Sequence, residues 1–339
     1  MNALLHLQRL IIVALLPVTV AAEVYELPPA GNDLIGAVTM VRARADDTLL
    51  DIARRHGLGY EDIVRANPEV DTWLPGAGTE VVLPTRFVLP PGPRRGVVLN
   101  LAEYRMYYFP EPKEGQPMLV MTYPMSIGRM DWETPLGDTR VISKVTNPSW
   151  YPPASVRAEH AAEGDPLPRI VPPGPKNPLG AYAMRLELPG YLIHSTNRPA
   201  GVGMRVSHGC IRMYPEDIGF MFGQVSVNTP VRIINEPLKI GWDGDELVLE
   251  VHRSLEVSAV VAEDSTPATD AVSVDAESQE PEAPRDELTS LTEKFVAATN
   301  ERPARLDWDT AEILLARADG IPVVVGRGIK NAATSAAFE

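Results

Sequence analysis

The 339-residue chain sets 31 Lys and Arg against 45 Asp and Glu, a net charge of −14, and 45% of it is hydrophobic. That apolar content supplies cores for two or three folding units and excludes a wholly disordered chain, while the acidic balance excludes nucleic acid as a partner, because phosphate recognition needs a basic surface. The 33 prolines, many of them between Leu89 and Pro178, argue for a β-rich, loop-rich centre, since proline interrupts helix interiors and central strands alike.

His6 and Arg9 give a weakly basic start, Leu10 to Val20 is apolar, and Val20-Ala21-Ala22 offers small residues ahead of Glu23. This predicts a cleavable signal peptide over residues 1–22; the apolar run falls short of the roughly 20 residues a membrane-spanning helix needs. An exported chain meets an oxidising compartment, where structural cysteines come in pairs. Cys210 is the single cysteine of this chain, so it is a liability there unless its reactivity is used.

From Val38 to Pro84 the pattern reads strand, helix, helix, strand. Val38 to Arg42 alternates. Asp46 or Asp47 is placed to cap a helix running to about His56, with Leu49, Leu50, Ile52 and Ala53 apolar, and Gly57 and Gly59 stop it. Tyr60 to Asn67 gives a second helix ending at Pro68, and Gly78 to Pro84 returns as a strand. Asp46-Asp47-Thr48-Leu49-Leu50-Asp51-Ile52-Ala53, followed by Ala66-Asn67-Pro68 and a closing Val-Leu-Pro, resembles a LysM module, a family that binds N-acetylglucosamine-containing glycans. For this copy, glycan binding and a purely structural role both stand.

Beyond the connector Pro84 to Arg95, Gly96 to Leu101 and Glu103 to Phe109 read as a hairpin turning near Ala102. Met118 to Ile127 and Thr139 to Lys144 are further strands, with Thr134-Pro135-Leu136-Gly137 a tight turn. Asn147 to Pro178 is so dense in proline that no regular structure is expected in it; a long irregular segment of this kind is a functional loop, here expected to wall a cleft. Ala181 to Leu188 and Gly190 to Ile193 read as strands leading to His194. Pro215 to Phe222 is a short helix, with proline and acidic residues in its first turn, and Thr229 to Ile234 and Glu246 to His252 are strands. The stretch 256–290 is acidic and poor in large apolar residues, as a solvated linker is. Trp308 to Ala318 then has helical spacing, and Gly320 to Val325 reads as a strand. This segment, 305–326, is too small to fold alone and is expected to dock on the main body.

The chemistry concentrates in Val206-Ser207-His208-Gly209-Cys210-Ile211-Arg212-Met213. A thiolate rather than a thiol attacks a carbonyl, so a nucleophilic cysteine needs a base or cation beside it. His194 supplies one if its strand lies next to the cysteine segment. Were His208 to Arg212 extended, His208, Cys210 and Arg212 would share one face. Gly209 clears space beside the thiol, and the Gly209 and Cys210 amides could form an oxyanion hole. Arg212 offers a planar fork for a carboxylate, or else a structural ion pair. A zinc site from His194, His208 and Cys210 lacks a fourth ligand of obvious spacing.

Ile193-His194-Ser195-Thr196 with Ser207-His208-Gly209-Cys210-Ile211-Arg212-Met213-Tyr214-Pro215-Glu216-Asp217 resembles the signature of the L,D-transpeptidases, or YkuD family. Val97 to Leu101, Tyr107 to Pro110, Thr134 to Gly137, Asn147 to Pro153 and Gly174 to Gly180 match as well. The resemblance implies a mainly β fold: a β-sandwich catalytic domain over 94–237, preceded by the small α+β (βααβ) LysM-like module over 38–84 and followed by the short C-terminal helix–strand piece. It implies a periplasmic enzyme acting on the tetrapeptide stems of peptidoglycan. Cys210 would be the nucleophile and His194 the proton donor and acceptor, oriented by the carbonyl of Ser195. Ser207, His208 and Gly209 would shape the oxyanion hole, Arg212 would hold a diaminopimelate carboxylate, and neither metal nor organic cofactor is implied. The acceptor amine would belong to another stem or to a lysine of an outer-membrane lipoprotein. Two other readings remain: a carboxypeptidase or cross-link hydrolase using the same thiol, and a non-catalytic wall-binding protein.

Overall fold

The computed structural model describes residues 23–130, 132–255 and 287–329; the signal-peptide stretch and 256–286 of the acidic stretch lie outside them. The first described residues form a strand absent from the sequence expectations, β1 (Glu23–Glu26). An N-terminal unit follows: β2 (Leu34–Arg42), α1 (Leu49–Arg55), α2 (Tyr60–Ala66) and β3 (Glu80–Val88). The two strands pair antiparallel along their whole length, from Leu34 opposite Val88 to Arg42 opposite Glu80. The cap of α1 is Thr48, one residue later than the sequence suggested. Its hydroxyl accepts from the Asp51 amide at 3.1 Å while the Asp51 carboxylate accepts from the Thr48 amide at 3.0 Å, a reciprocal arrangement that satisfies two otherwise orphaned donors. Asp47, the expected cap, instead accepts two hydrogen bonds from Arg55, each 2.7 Å. Asn67 ties the end of α2 to β3, donating to the carbonyls of Ile63 and Val82 and accepting from the Val82 amide.

The central unit comprises β4 (Gly96–Asn100), β5 (Arg105–Phe109), β6 (Leu119–Pro124), β7 (Ile127–Gly128), β8 (Gly137–Thr146), α3 (Ala154–Ala162), β9 (Tyr182–Leu186), β10 (Leu192–His194), β11 (Arg205–Ser207), β12 (Ile211–Arg212), α4 (Pro215–Gln224) and β13 (Pro230–Ile234). Its main sheet runs β1-β6-β5-β4-β13-β8-β9-β10-β12, and β7 pairs separately with β11. Strands β4 and β5 are buried at every position, and the two-residue period of a strand explains why. Val97, Leu99, Met106 and Tyr108 pack into the core of the central unit, with Ile193, Ile211 and Ile218. Val98, Tyr107 and Phe109 point the other way and share a second core with Leu49, Ile52 and Phe87 of the N-terminal unit. One hairpin therefore serves two cores.

Helix α3 corrects the expectation of no regular structure between Asn147 and Pro178. Prolines flank it, but 154–165 contains none, and Pro153 occupies the cap position, where its fixed φ is tolerated. Among the side chains of α3 only Val156 is buried.

The C-terminal unit is larger than the sequence implied. Strands β14 (Leu238–Asp243) and β15 (Glu246–Val251) form a hairpin, joined by α5 (Glu287–Thr299), β16 (Ala304–Leu306), α6 (Trp308–Arg317) and β17 (Val323–Gly328). The sheet order is β14-β15-β17-β16, with a core of Trp242, Leu247, Leu249, Leu291, Leu314 and Val325. Residues 287–290, read as the end of the linker, are the first turn of α5.

The three units meet around a buried charge. The Lys239 ammonium donates to the Glu103 carboxylate, to the Val88 carbonyl at 2.6 Å and to Tyr107 at 3.1 Å, and pairs with Glu250 at 2.8 Å. Glu250 in turn accepts from the Val88 amide at 2.6 Å and faces His252 at 2.7 Å. Burial alone would push the Glu250 carboxyl up, but Lys239 and His252 outweigh it and hold it at about 2. Glu103, Glu250 and His252 are, among the described residues, the one group close enough to share a metal ion; the ammonium of Lys239 already supplies the cation there.

The N-terminal and central units are also bolted directly. Fully buried Arg105 donates to Asp62 at 2.6 Å and stacks 4.2 Å from the centre of the Phe87 ring. Arg54 forms a two-pronged pair with Glu216 at 2.6 and 2.8 Å. Gly59 and Gly203 lie so close that a β-carbon on Gly59 would come within 2.7 Å of the Gly203 Cα.

Candidate active site

Strands β10 and β12 run parallel, Ile193 opposite Ile211 and His194 opposite Arg212. This sets His194 beside the strand that Cys210 leads into. The cysteine stretch is not an extended strand, however. Gly209 has φ +93°, a conformation side chains rarely adopt; the chain leaves β11 at Ser207 and rejoins a sheet only at Ile211 and Arg212, so the period-two placement of His208, Cys210 and Arg212 on one face does not hold. Ser207 to Cys210 is instead a tight turn closed by the Ser207 hydroxyl, which donates to the Cys210 carbonyl.

Neighbouring segments fix this turn. Thr134 is buried; its hydroxyl donates to the Gly209 carbonyl at 2.8 Å and accepts from the Gly128 amide at 3.2 Å. Tyr191 packs across Gly209, where a β-carbon would lie 2.8 Å from its ring, and its hydroxyl donates to the Glu133 carbonyl at 3.2 Å. Sequence reasoning passed over both residues. Thr134 was read only as a turn former, and no local pattern shows that Tyr191 meets a glycine eighteen positions later.

His194 is buried, and its Nδ1 lies 2.6 Å from the Ser195 carbonyl. A carbonyl only accepts, so Nδ1 carries the proton and Nε2 presents a lone pair. Burial first, and then Arg212, push the imidazole down to about 3, against the Ser195 carbonyl, which favours the charged form. His194 is therefore a neutral base at neutral pH. Gly180 backs this arrangement: at φ +62° it leaves no room for a side chain, since a β-carbon would lie 2.6 Å from the Ser195 Cβ.

Cys210 is half-buried and free. In this state its thiol donates to the Gly190 carbonyl at 3.6 Å. Burial raises its pKa above the ordinary thiol range, while the Leu192 amide and Arg212 pull the other way. Thiol and imidazole are both neutral at rest. Arg212 is half-buried with its Nε unpartnered among the described residues, and Arg198 and Arg129 are near enough to repel it, which suits the guanidinium to an incoming carboxylate. His208 turns toward α3: its Nε2 is 2.7 Å from Glu159, and the Trp132 ring meets its own edge-on at 5.1 Å. Thus His194, Ser195, Ser207, Gly209, Cys210 and Arg212 converge, with His208 on the flank. A buried neutral base, a thiol at the entry to the neighbouring strand and a guanidinium with an unpartnered Nε among the described residues together suit acyl transfer from a carboxylate-bearing peptide.

Residues 94–233 match the YkuD family, described as the L,D-transpeptidase catalytic domain. The chain is 42% identical over 241 residues to the probable L,D-transpeptidase YcfS of Escherichia coli K12, covering 69% of this chain and 74% of that one. It is 41% identical over 235 residues to the probable L,D-transpeptidase ErfK/SrfK of Salmonella typhimurium, covering 68% and 74%. Among solved structures, the catalytic domain of the E. faecium L,D-transpeptidase is similar at 21% identity over 42% of this chain and 100% of that one, with a TM-score of 0.31. At these identities, sustained well beyond the catalytic segment, the chain belongs to the YkuD family of L,D-transpeptidases.

Proposed function

We propose that this transpeptidase works in the periplasm on tetrapeptide stems of peptidoglycan, through a thioester on Cys210. The observation that carries the reading is the neutral, buried His194, locked by the Ser195 carbonyl at 2.6 Å on the strand parallel to the one Cys210 enters. In the first step His194 Nε2 takes the thiol proton as Sγ attacks the carbonyl of the diaminopimelate residue. The C–N bond to the terminal D-alanine breaks, and His194 returns the proton to the departing amine. The Gly209 and Cys210 amides, held by Ser207 and Thr134, face the developing oxyanion, and Arg212 binds a diaminopimelate carboxylate. In the second step an acceptor amine attacks the thioester, losing its proton to His194, and the C–S bond breaks to regenerate the thiol.

The apolar stretch Leu10 to Val20 supports export, and the LysM-like pattern of the N-terminal unit supports a glycan contact that brings the enzyme to its polymer. The acceptor is an amine of a second stem or a lysine of an outer-membrane lipoprotein. Incubation of the mature protein with tetrapeptide muropeptides is expected to release D-alanine and yield dimers, with a mass increment on the intact protein that Cys210→Ala lacks. Release without dimers assigns a carboxypeptidase. No turnover with retained wall binding assigns a binding protein. Mass spectrometry of sacculi from a strain without this protein distinguishes the acceptors: loss of stem dimers or loss of wall-linked lipoprotein.

A further inference from the structure

Helix α3 reaches the active-site turn through Glu159. Its carboxylate is shared: one oxygen accepts from Arg129 at 2.7 Å and the other lies 2.7 Å from His208 Nε2. Both partners belong to the wall of the site. His208 is two residues before Cys210, and the Arg129 amide donates to the Ser207 carbonyl at 2.9 Å. A guanidinium and an imidazole converging on a single carboxylate form a carboxylate-binding pair, and here a carboxylate of the protein itself fills it.

The occupant is held loosely compared with its site. The base of the segment is fixed, because buried Asn177 donates to the carbonyls of Pro148, Val171 and Pro172 and Trp150 bridges to Val171. The helix between those anchors buries only Val156. Few buried contacts mean a low cost of local displacement. The site is also reachable from solvent: the side chains of Arg129, Glu159 and His208 stay 32%, 26% and 22% exposed. Arg212, meanwhile, has its own unpartnered Nε and does not contact Glu159 among the bonds that hold that carboxylate.

We infer that Arg129 and His208 form a second carboxylate-recognition point for the donor peptide, distinct from Arg212, and that Glu159 occupies it until the donor displaces it. The inference rests on the tetrapeptide-stem reading above. Such a stem carries carboxylates on both sides of the scissile bond: the α-carboxylate of its isoglutamate residue before it and that of the terminal alanine after it. Either has the chemistry that Arg129 and His208 recognise. Binding exchanges one carboxylate for another, so Glu159 acts as a specificity filter: a donor without the matching anion leaves it in place.

The test measures D-alanine release by the wild type, Glu159→Gln, Arg129→Gln and Arg129→Lys. Donors are the tetrapeptide stem and two analogues, amidated at the isoglutamate α-carboxylate or at the terminal carboxylate. Glu159→Gln removes the competitor and is expected to lower KM for the unmodified stem several-fold with little change in kcat. Arg129→Gln is expected to raise KM about tenfold, the scale of one charge-assisted contact, with partial rescue by Arg129→Lys. One of the two amidations should cost the wild type a similar factor and cost Arg129→Gln almost nothing more, which identifies the carboxylate. If both amidations cost wild type and Arg129→Gln the same factor, or Glu159→Gln leaves KM unchanged or raises it, the inference is overturned. Absence of turnover by the wild type on any stem would instead overturn the proposed function.

Discussion

His194 and Arg212 are in-register partners across the parallel pair β10–β12, and the guanidinium adds to burial in keeping the imidazole uncharged while favouring the thiolate of Cys210. One cation thus favours the deprotonated form of both base and nucleophile. Arg212→Gln is expected to move the thiol further above its ordinary range and to let His194 drift back up. Alkylation of Cys210 by iodoacetamide at about pH 8 should slow severalfold, since each pKa unit is about a factor of ten in thiolate. An alkylation profile identical to that of the wild type would refute the assignment.

With His194 at about 3 and Cys210 above the thiol range, neither group titrates near neutrality. The acylation rate should be flat between about pH 5 and pH 8, because the neutral pair persists throughout and proton transfer accompanies attack. A preformed thiolate–imidazolium pair would show an inflection in that window, which pre-steady-state thioester formation would detect.

Asp217 gives a stability prediction of definite sign. Burial and then Glu216 raise its carboxyl to about 7 from the ordinary 3.8, and its Oδ2 has no hydrogen-bond partner among the described residues. The folded state therefore keeps a proton that the unfolded chain releases, and stability from this group is lost as pH rises from about 4 to about 7. His194 works in reverse. Its depressed value makes the folded state refuse a proton that the unfolded chain accepts below about 6.5, so stability is lost as pH falls from there toward about 3. Asp217→Asn should raise the melting temperature at about pH 8 and leave it nearly unchanged at about pH 4, an effect on the order of a few kcal/mol.

Lys239 is the cation between two buried carboxylates. Lys239→Met should destabilise by about 3–5 kcal/mol, because it removes the ammonium that Glu103 and Glu250 share. Denaturant unfolding measures the loss, and Lys239→Met combined with Glu103→Gln should recover part of it.

Two further changes separate positioning from chemistry. Thr134→Val leaves the Gly209 carbonyl and Gly128 amide without their shared partner, costing about 1–3 kcal/mol in stability. It should also lower kcat by about tenfold if that turn carries the oxyanion donors. Gly180→Ala would press on Ser195 and so tilt His194; kcat should fall more than KM rises.

The hairpin of Gly96 to Leu101 and Glu103 to Phe109, and the helix opening at Pro215, were legible in the sequence because apolar runs and their punctuation are local properties. So was the association of His194, Cys210 and Arg212, through the family resemblance. The extended course considered for His208 to Arg212 does not hold, and nothing in the spacing reveals that Gly209 is at positive φ. Helix α3 was hidden by the prolines around it. Strand β1 was missed because a four-residue segment shows its role only when a distant sheet receives it, and helix α5 because its first turn lies inside the compositionally acidic stretch that precedes it. Glu159, Thr134 and Tyr191 act across the fold, and no linear pattern names their partners.

The contact between Gly59 and Gly203, backed by Arg105–Asp62 and Arg54–Glu216, removes any hinge between the N-terminal unit and the body that holds Cys210. A ligand held by the first would be presented to the second at a constant offset and angle, so that the proposed glycan contact would act as a gauge. The point of reaction would be set by the distance between two packed faces, not by the reach of a tether.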